Sequence, residues 1–159
     1  MANLVRLRID SVKSRLLHVL GKLRLMVFKH TFQIRWVDTD GARVMHYSNY
    51  FRYFEACEEE YYQSLGLDFK TIREKHQIGL PRVEAHCTYK SSCRFADVIE
   101  VELRVGEVTE KTVTYNFLVF LKENGNLAAE GYLKCIAVND NWKAVPLPEE
   151  FVKLIRKGS

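Results

Sequence analysis

The chain has 159 residues, 47% of them hydrophobic, and 24 Lys and Arg against 20 Asp and Glu for a net charge of +4. That size and apolar content suit one globular domain with a real core, and nothing in the chain is repetitive or of low complexity. The basic excess is local: Arg6, Arg8, Lys13, Arg15, Lys22, Arg24 and Lys29 face one acid, Asp10, within residues 1–30. They lack interleaved aromatics and belong to no reading motif, which speaks against a nucleic-acid partner.

Residues 1–26 carry Leu16, Leu17, Leu20 and Leu23 beside Arg15, Lys22 and Arg24, the pattern of a basic amphipathic helix. The apolar run is too short to span a bilayer, which takes about 20 residues. Three readings stand for this extension: a helix packed on its own domain or a sister subunit, an interfacial helix on anionic lipid, or a transit segment. Residues 27–159 then form the domain. Val27 to Val37 alternates as a first strand through Phe28, Phe32, Ile34 and Trp36. After Asp38-Thr39-Asp40 and a short turn, apolar residues recur at Tyr47, Tyr50, Phe51, Phe54, Cys57, Tyr61 and Leu65, one buried face of a long helix. Arg52, Glu55, Glu58, Glu59 and Gln63 fall off that stripe, and Gly66 supplies the stop.

Leu67 to Ile78 reads as a short helix or loop, broken at Gly79-Leu80-Pro81. Strand patterns follow at Val83 to Cys93, Val98 to Val108, Thr112 to Leu121 and Leu127 to Val138, the last two joined by an Asn124-Gly125 hairpin signal. Glu149 to Lys157 closes the chain as a short helix. One long helix among antiparallel strands is α+β, and an aromatic-rich helix is buried most economically by a sheet of about five strands wrapped around it. Such a sheet leaves an edge open, so a homodimer or tetramer is expected.

A strand, an acidic turn and a helix start, in that order, bring a carboxylate beside free backbone N–H groups, an arrangement suited to chemistry on a carbonyl. Asp40 can be the reacting group or a turn cap, and Asp38 a strand-end acceptor. Ser48 and Asn49 can cap the helix. Lys90 and Arg94, four apart on the predicted second strand, project from one face and can pair with phosphate or simply be solvated. Cys57, Cys87, Cys93 and Cys135 form no C-x-x-C pair and no secretory signal precedes them, so free thiols in a reducing cytoplasm are expected. The five histidines show no zinc-ligand spacing, so no metal is expected.

Asp38-Thr39-Asp40, a small-residue turn, Val44-Met45, His46 and then Ser48-Asn49-Tyr50-Phe51-Arg52-Tyr53-Phe54-Glu55 resemble the acyl-CoA thioesterases of the hotdog fold, the 4-hydroxybenzoyl-CoA thioesterase-like branch in particular. Tyr89 to Asp97 resembles that family's Tyr-x-x-Pro-Ala-x-x-Gly-Asp pattern, and the likeness covers about residues 32 to 138. Arg43 stands where the family has a turn glycine, and Ser92 and Ala96 replace its proline and glycine. The resemblance implies hydrolysis of an acyl-CoA to an acid and free coenzyme A, with no cofactor beyond the coenzyme A of the substrate. It maps the catalytic carboxylate onto Asp40 and the oxyanion or substrate-positioning groups onto His46, Tyr47 and Asn49. Glu55 becomes a second carboxylate to weigh, and Lys90 and Arg94 become coenzyme A contacts. An acyl-carrier-protein thioesterase, or an acyl-thioester binding module whose turn Arg43 has spoiled, are the alternatives.

Overall fold

The computed structural model describes residues 27–158, and the basic helix expected over residues 1–26 lies outside them. Five strands form one antiparallel sheet in the order β1-β3-β4-β5-β2. They are β1 Phe28–Gln33, β2 Arg82–Tyr89, β3 Val98–Val108, β4 Thr112–Leu121 and β5 Leu127–Ile136. The helices are α1 Asn49–Ser64, α2 Phe69–His76 and α3 Glu149–Lys157. The connection containing α1 carries the chain from one sheet edge, β1, to the other, β2. The sheet wraps α1, which is the α+β hotdog arrangement.

The core is made where α1 meets the sheet. Tyr50, Tyr53, Phe54, Cys57, Tyr61 and Tyr62 are buried on the helix, and the Phe54 ring stacks on Phe117 of β4 at 4.5 Å. Gly131 of β5 makes room for it: a Cβ there would lie 2.9 Å from the Phe54 ring and 2.3 Å from the His86 carbonyl. The stop is as the sequence implied. Gly66 takes φ +72°, and Leu67 N–H reaches back to the Tyr62 carbonyl at 2.9 Å, the 6→1 bond of a Schellman cap. The predicted helix or loop after it is helical, because Asp68 caps Thr71 N–H at 2.5 Å. Helix α3 lays Phe151 and Ile155 on the core, and Tyr61 Oη donates to the Ile155 carbonyl.

Two expectations are corrected. The first strand ends at Gln33, and Trp36–Asp38 forms a 3-10 turn with Trp36 73% exposed. The second strand ends at Tyr89, so Lys90, Cys93 and Arg94 belong to the following loop. The β4–β5 hairpin turns where the Asn124-Gly125 signal stands: Gly125 takes φ +72° and donates to Leu121, while Asn124 Oδ1 accepts from Asn126 N–H. Strand β2 pairs only with β5 among the described residues, so its outer edge is open. None of the described helices is long and apolar enough to cross a membrane.

Candidate functional site

Two loops are fastened together at one end of the sheet. Ile34 N–H donates to the Asp97 carbonyl at 2.8 Å, Ala96 N–H to the Ile34 carbonyl at 2.9 Å, and Met45 N–H to the Cys93 carbonyl at 2.7 Å. Asp38 is the hub of the first loop. Its side chain is buried, 1% exposed, and Oδ2 accepts from Tyr53 Oη at 2.7 Å and Arg35 N–H at 2.9 Å. Its carbonyl accepts from His46 N–H at 2.9 Å and Asn49 Nδ2 at 2.8 Å. Burial alone would raise the Asp38 pKa; the hydrogen bonds from Tyr53 and Arg35, with the Arg35 charge, outweigh it and hold the carboxyl below its ordinary value.

Asp40 lies two residues on in a different setting. It is exposed; its N–H donates to Val44 at 3.0 Å and its carbonyl accepts from Arg43 N–H at 2.9 Å, closing the turn. Oδ1 accepts from Ala42 N–H at 2.8 Å, and Oδ2 has no partner among the described residues. The turn cap foreseen for Asp40 is therefore present, and it leaves one carboxylate oxygen available. Arg43 takes φ +63° and Ala96 φ +69°. Both occupy places where the resembled motifs carry glycine, so the backbone keeps the glycine conformation at a cost of about 1–2 kcal/mol each.

The helix entrance sorts the positioning candidates. His46 N–H is already engaged by Asp38, so it is not free for an oxyanion; the imidazole Nδ1 pairs with Ser48 Oγ at 2.8 Å and packs on Tyr47. Asn49, expected to position substrate or cap the helix, instead buries its amide against the Asp38 carbonyl. Ser48 is the N-cap residue but makes no side-chain cap bond. Tyr47 N–H donates to no group among the described residues. Beside it opens a cleft of about 280 Å³ lined by Val44, Met45, Tyr47, Tyr50, Tyr89, Lys90, Ser91 and Ser92. The Tyr89 hydroxyl donates to the Tyr47 carbonyl at 3.2 Å, and Tyr50 Oη reaches Cys93 Sγ at 3.6 Å. Asp40 does not line the cleft itself; its backbone partner Val44 does. A larger hollow of about 360 Å³ over strands β2 to β5 draws nothing from the Asp40 turn, and its Glu102 and Glu130 are held by Lys29 at 2.6 Å and Lys90 at 2.9 Å.

The remaining candidates separate as well. Lys90 borders the cleft but its ammonium is engaged with Glu130. Arg94 is held through its backbone, its N–H donating to Asp97 Oδ2 at 2.7 Å and its carbonyl accepting from Asp97 N–H at 3.1 Å, leaving its guanidinium unpaired among the described residues. Glu55 is exposed, 3.7 Å from Arg82. Sequence reasoning missed Glu58, which is 0% exposed: Oε2 accepts from Arg82 Nη2 at 2.5 Å and Oε1 has no partner. Burial pushes its pKa up to about 7 against the lowering effect of Arg82. The signal was the spacing, since position 58 follows Phe54 by four residues on the buried stripe. Among the described residues no cluster of three His, Cys, Asp or Glu side chains could hold a metal.

The model of the thioesterase-like superfamily matches residues 34–155. A relative from Aquifex aeolicus, which carries only the provisional name of an esterase, is 32% identical over 133 residues, covering 82% of this chain and 99% of its own. The 1,4-dihydroxy-2-naphthoyl-CoA hydrolase of Synechococcus is 27% identical over 113 residues, 68% of this chain and 74% of its own. A hypothetical protein of Staphylococcus aureus solved in complex with CoA superposes with a TM-score of 0.75 at 26% identity, covering 83% of each chain.

Proposed function

Because the chain belongs to the thioesterase-like superfamily and is a thioester hydrolase, we propose that it cleaves acyl-CoA to the free acid and coenzyme A with Asp40 as its catalytic carboxylate. The observation that carries the reading is the contrast inside one loop. Asp38 is buried, with two hydrogen bonds on Oδ2 and the Arg52 guanidinium 3.9 Å from Oδ1, whereas exposed Asp40 keeps an unpartnered oxygen beside a cleft whose rim offers the free N–H of Tyr47. Asp40 either attacks the thioester carbonyl or takes a proton from a water that does so. The carbonyl oxygen, as it gains charge, accepts from Tyr47 N–H. The imidazole of His46 holds the Tyr47 ring rather than touching the reacting atoms. Arg94, with its free guanidinium, is the phosphate contact for coenzyme A.

Arg43 does not spoil the turn, because its backbone adopts the left-handed conformation a glycine would; this favours an enzyme over a non-catalytic thioester binder. The open edge of β2 favours pairing with a second copy of the chain. The cleft favours an aromatic acyl group: Tyr47, Tyr50 and Tyr89 line it, and Ser91 and Ser92 offer hydroxyls to a polar ring substituent. The Synechococcus hydrolase acts on an aryl-CoA of this kind. A panel of acyl-CoAs followed by thiol release is the test. Hydroxyaryl-CoA thioesters should exceed fatty acyl-CoAs of eight to sixteen carbons in kcat/KM by about tenfold or more; preference for the fatty chains overturns the aryl assignment.

A further inference from the structure

The loop that carries Asp40 and the loop fastened to it together carry an exposed apolar cluster. Trp36 is 73% exposed, Val37 69% and Phe95 53%. Trp36 and Phe95 meet edge to face with ring centroids 5.6 Å apart, so the cluster is a preformed feature joining the two fastened loops. Arg35, adjacent to Trp36, keeps 65% of its side chain in solvent, and Arg43 is exposed in the same loop. Water-facing Trp, Phe and Val bordered by arginine is the composition that favours the boundary between lipid headgroups and acyl chains. A second observation is independent of the first. Residues 1–30 contribute seven basic residues against one acid, with leucines between them, while the rest of the chain is slightly acidic.

We propose that the Trp36–Val37–Phe95 cluster is a docking surface for an anionic lipid bilayer, seating the mouth of the Asp40 turn at the membrane. The occupant is argued from charge and chemistry: a basic leucine-bearing segment and an arginine-bordered aromatic wedge both complement anionic headgroups over acyl chains. This inference goes beyond the reading of Asp40 and does not depend on it, because it is read by fluorescence and not by turnover.

The chain has two tryptophans, and they make the test internal. Trp36 follows the end of β1 that pairs Gln33 with Val98, the beginning of β3. Trp142 follows β5, whose Ile136 pairs with Thr112 at the other end of β4, and it is 75% exposed. The length of β3 separates the two ends by roughly 35 Å. In the full-length chain, Trp142→Phe leaves Trp36 as the sole reporter, and Trp36→Phe leaves Trp142; both indoles are mostly in solvent, and Phe at 36 keeps an aromatic ring facing Phe95. Vesicles of phosphatidylglycerol mixed with phosphatidylcholine should shift the Trp36 emission to shorter wavelength and expose it to quenching by brominated acyl chains, while Trp142 stays unchanged. Vesicles of phosphatidylcholine alone should bind on the order of tenfold more weakly, and Trp36→Ser with Phe95→Ser should lower pelleting with the anionic vesicles by a similar factor.

Four results overturn the proposal. The protein pellets with anionic vesicles while Trp36 emission is unmoved, which assigns binding to residues 1–26 alone. Both tryptophans respond alike. The vesicle-free Trp36 emission is already that of a buried indole, which assigns the cluster to a second copy of the chain. Or Trp36 ignores vesicles and is quenched by adenosine 3′,5′-bisphosphate, which assigns it to the nucleotide of coenzyme A.

Discussion

Asp38 and Asp40 stand two residues apart at the mouth of the same helix and have opposite surroundings. Four donors converge on Asp38, two on its carboxylate and two on its carbonyl, and the residue is buried. Asp40 gives one oxygen to its own turn and leaves the other open. The difference teaches that holding the loop and doing chemistry from it are divided between the two acids. A buried carboxylate held by two hydrogen bonds and flanked by two arginines is a poor nucleophile or base, whereas its neighbour's geometry is fixed by backbone contacts that do not use its second oxygen.

The largest expected effect separates them most sharply. Asp40→Asn keeps the Ala42 N–H bond and should lower kcat by about 10³-fold, with the thermal midpoint changed by only a degree or two; loss of folding in place of turnover would reverse the two roles. Asp38→Ala leaves the Tyr53 hydroxyl, the Arg35 N–H and two arginines without their acceptor. It should cost about 3 kcal/mol, a fall of roughly 6–12 °C in a melting experiment. Because the folded-state pKa of Asp38 lies below its unfolded value, its contribution is complete above about pH 4 and is lost as pH falls through the folded value. Asp38→Ala should therefore flatten the acid limb of the stability profile, which denaturant melts between pH 2 and 5 would show.

Glu58 has the opposite sign. Its folded-state pKa is raised by burial to about 7, so the folded chain holds a proton there that the unfolded chain releases near pH 4.5. Stability should fall by about 2–3 kcal/mol as pH rises from 4.5 to 7 and level off above. Glu58→Gln should remove that slope; an unchanged slope in urea titrations would show that another group owns it. The smallest effect refines the loop itself. Arg43→Gly and Ala96→Gly each remove about 1–2 kcal/mol of left-handed strain and return about 0.5–1 in unfolded-chain freedom. Each should stabilise by about 0.5–1 kcal/mol, and destabilisation would show that the side chain contributes contacts larger than the strain.

Much of this architecture can be read from the chain because the burial pattern repeats. The edges of β3, β4 and α3 coincide with the runs Val98 to Val108, Thr112 to Leu121 and Glu149 to Lys157, where one-sided burial imposes a period of two or 3.6. Trp36 and Val37 broke the rule by being apolar and exposed, so they extended the first strand falsely. Glu58 broke it in reverse, a carboxyl on the buried stripe whose ion-pair partner, Arg82, comes from a strand distant in sequence. The site was legible as a motif but not as a geometry. Nothing within Asp38-Thr39-Asp40 itself tells which acid is engaged, because one donor, Arg35 N–H, precedes it and the others come from Tyr53, His46 and Asn49 further along. Likewise, the engagement of the His46 N–H and the availability of the Tyr47 N–H follow from a loop closure that sequence does not encode residue by residue.

The most direct test of Asp40 is a single preparation of Asp40→Asn titrated with a hydroxyaryl-CoA, binding followed by calorimetry and thiol release followed in the same samples. The account predicts a dissociation constant within about threefold of the wild-type KM and a single-turnover rate about 10³-fold lower. A variant that binds as well and turns over at the wild-type rate would place the chemistry elsewhere.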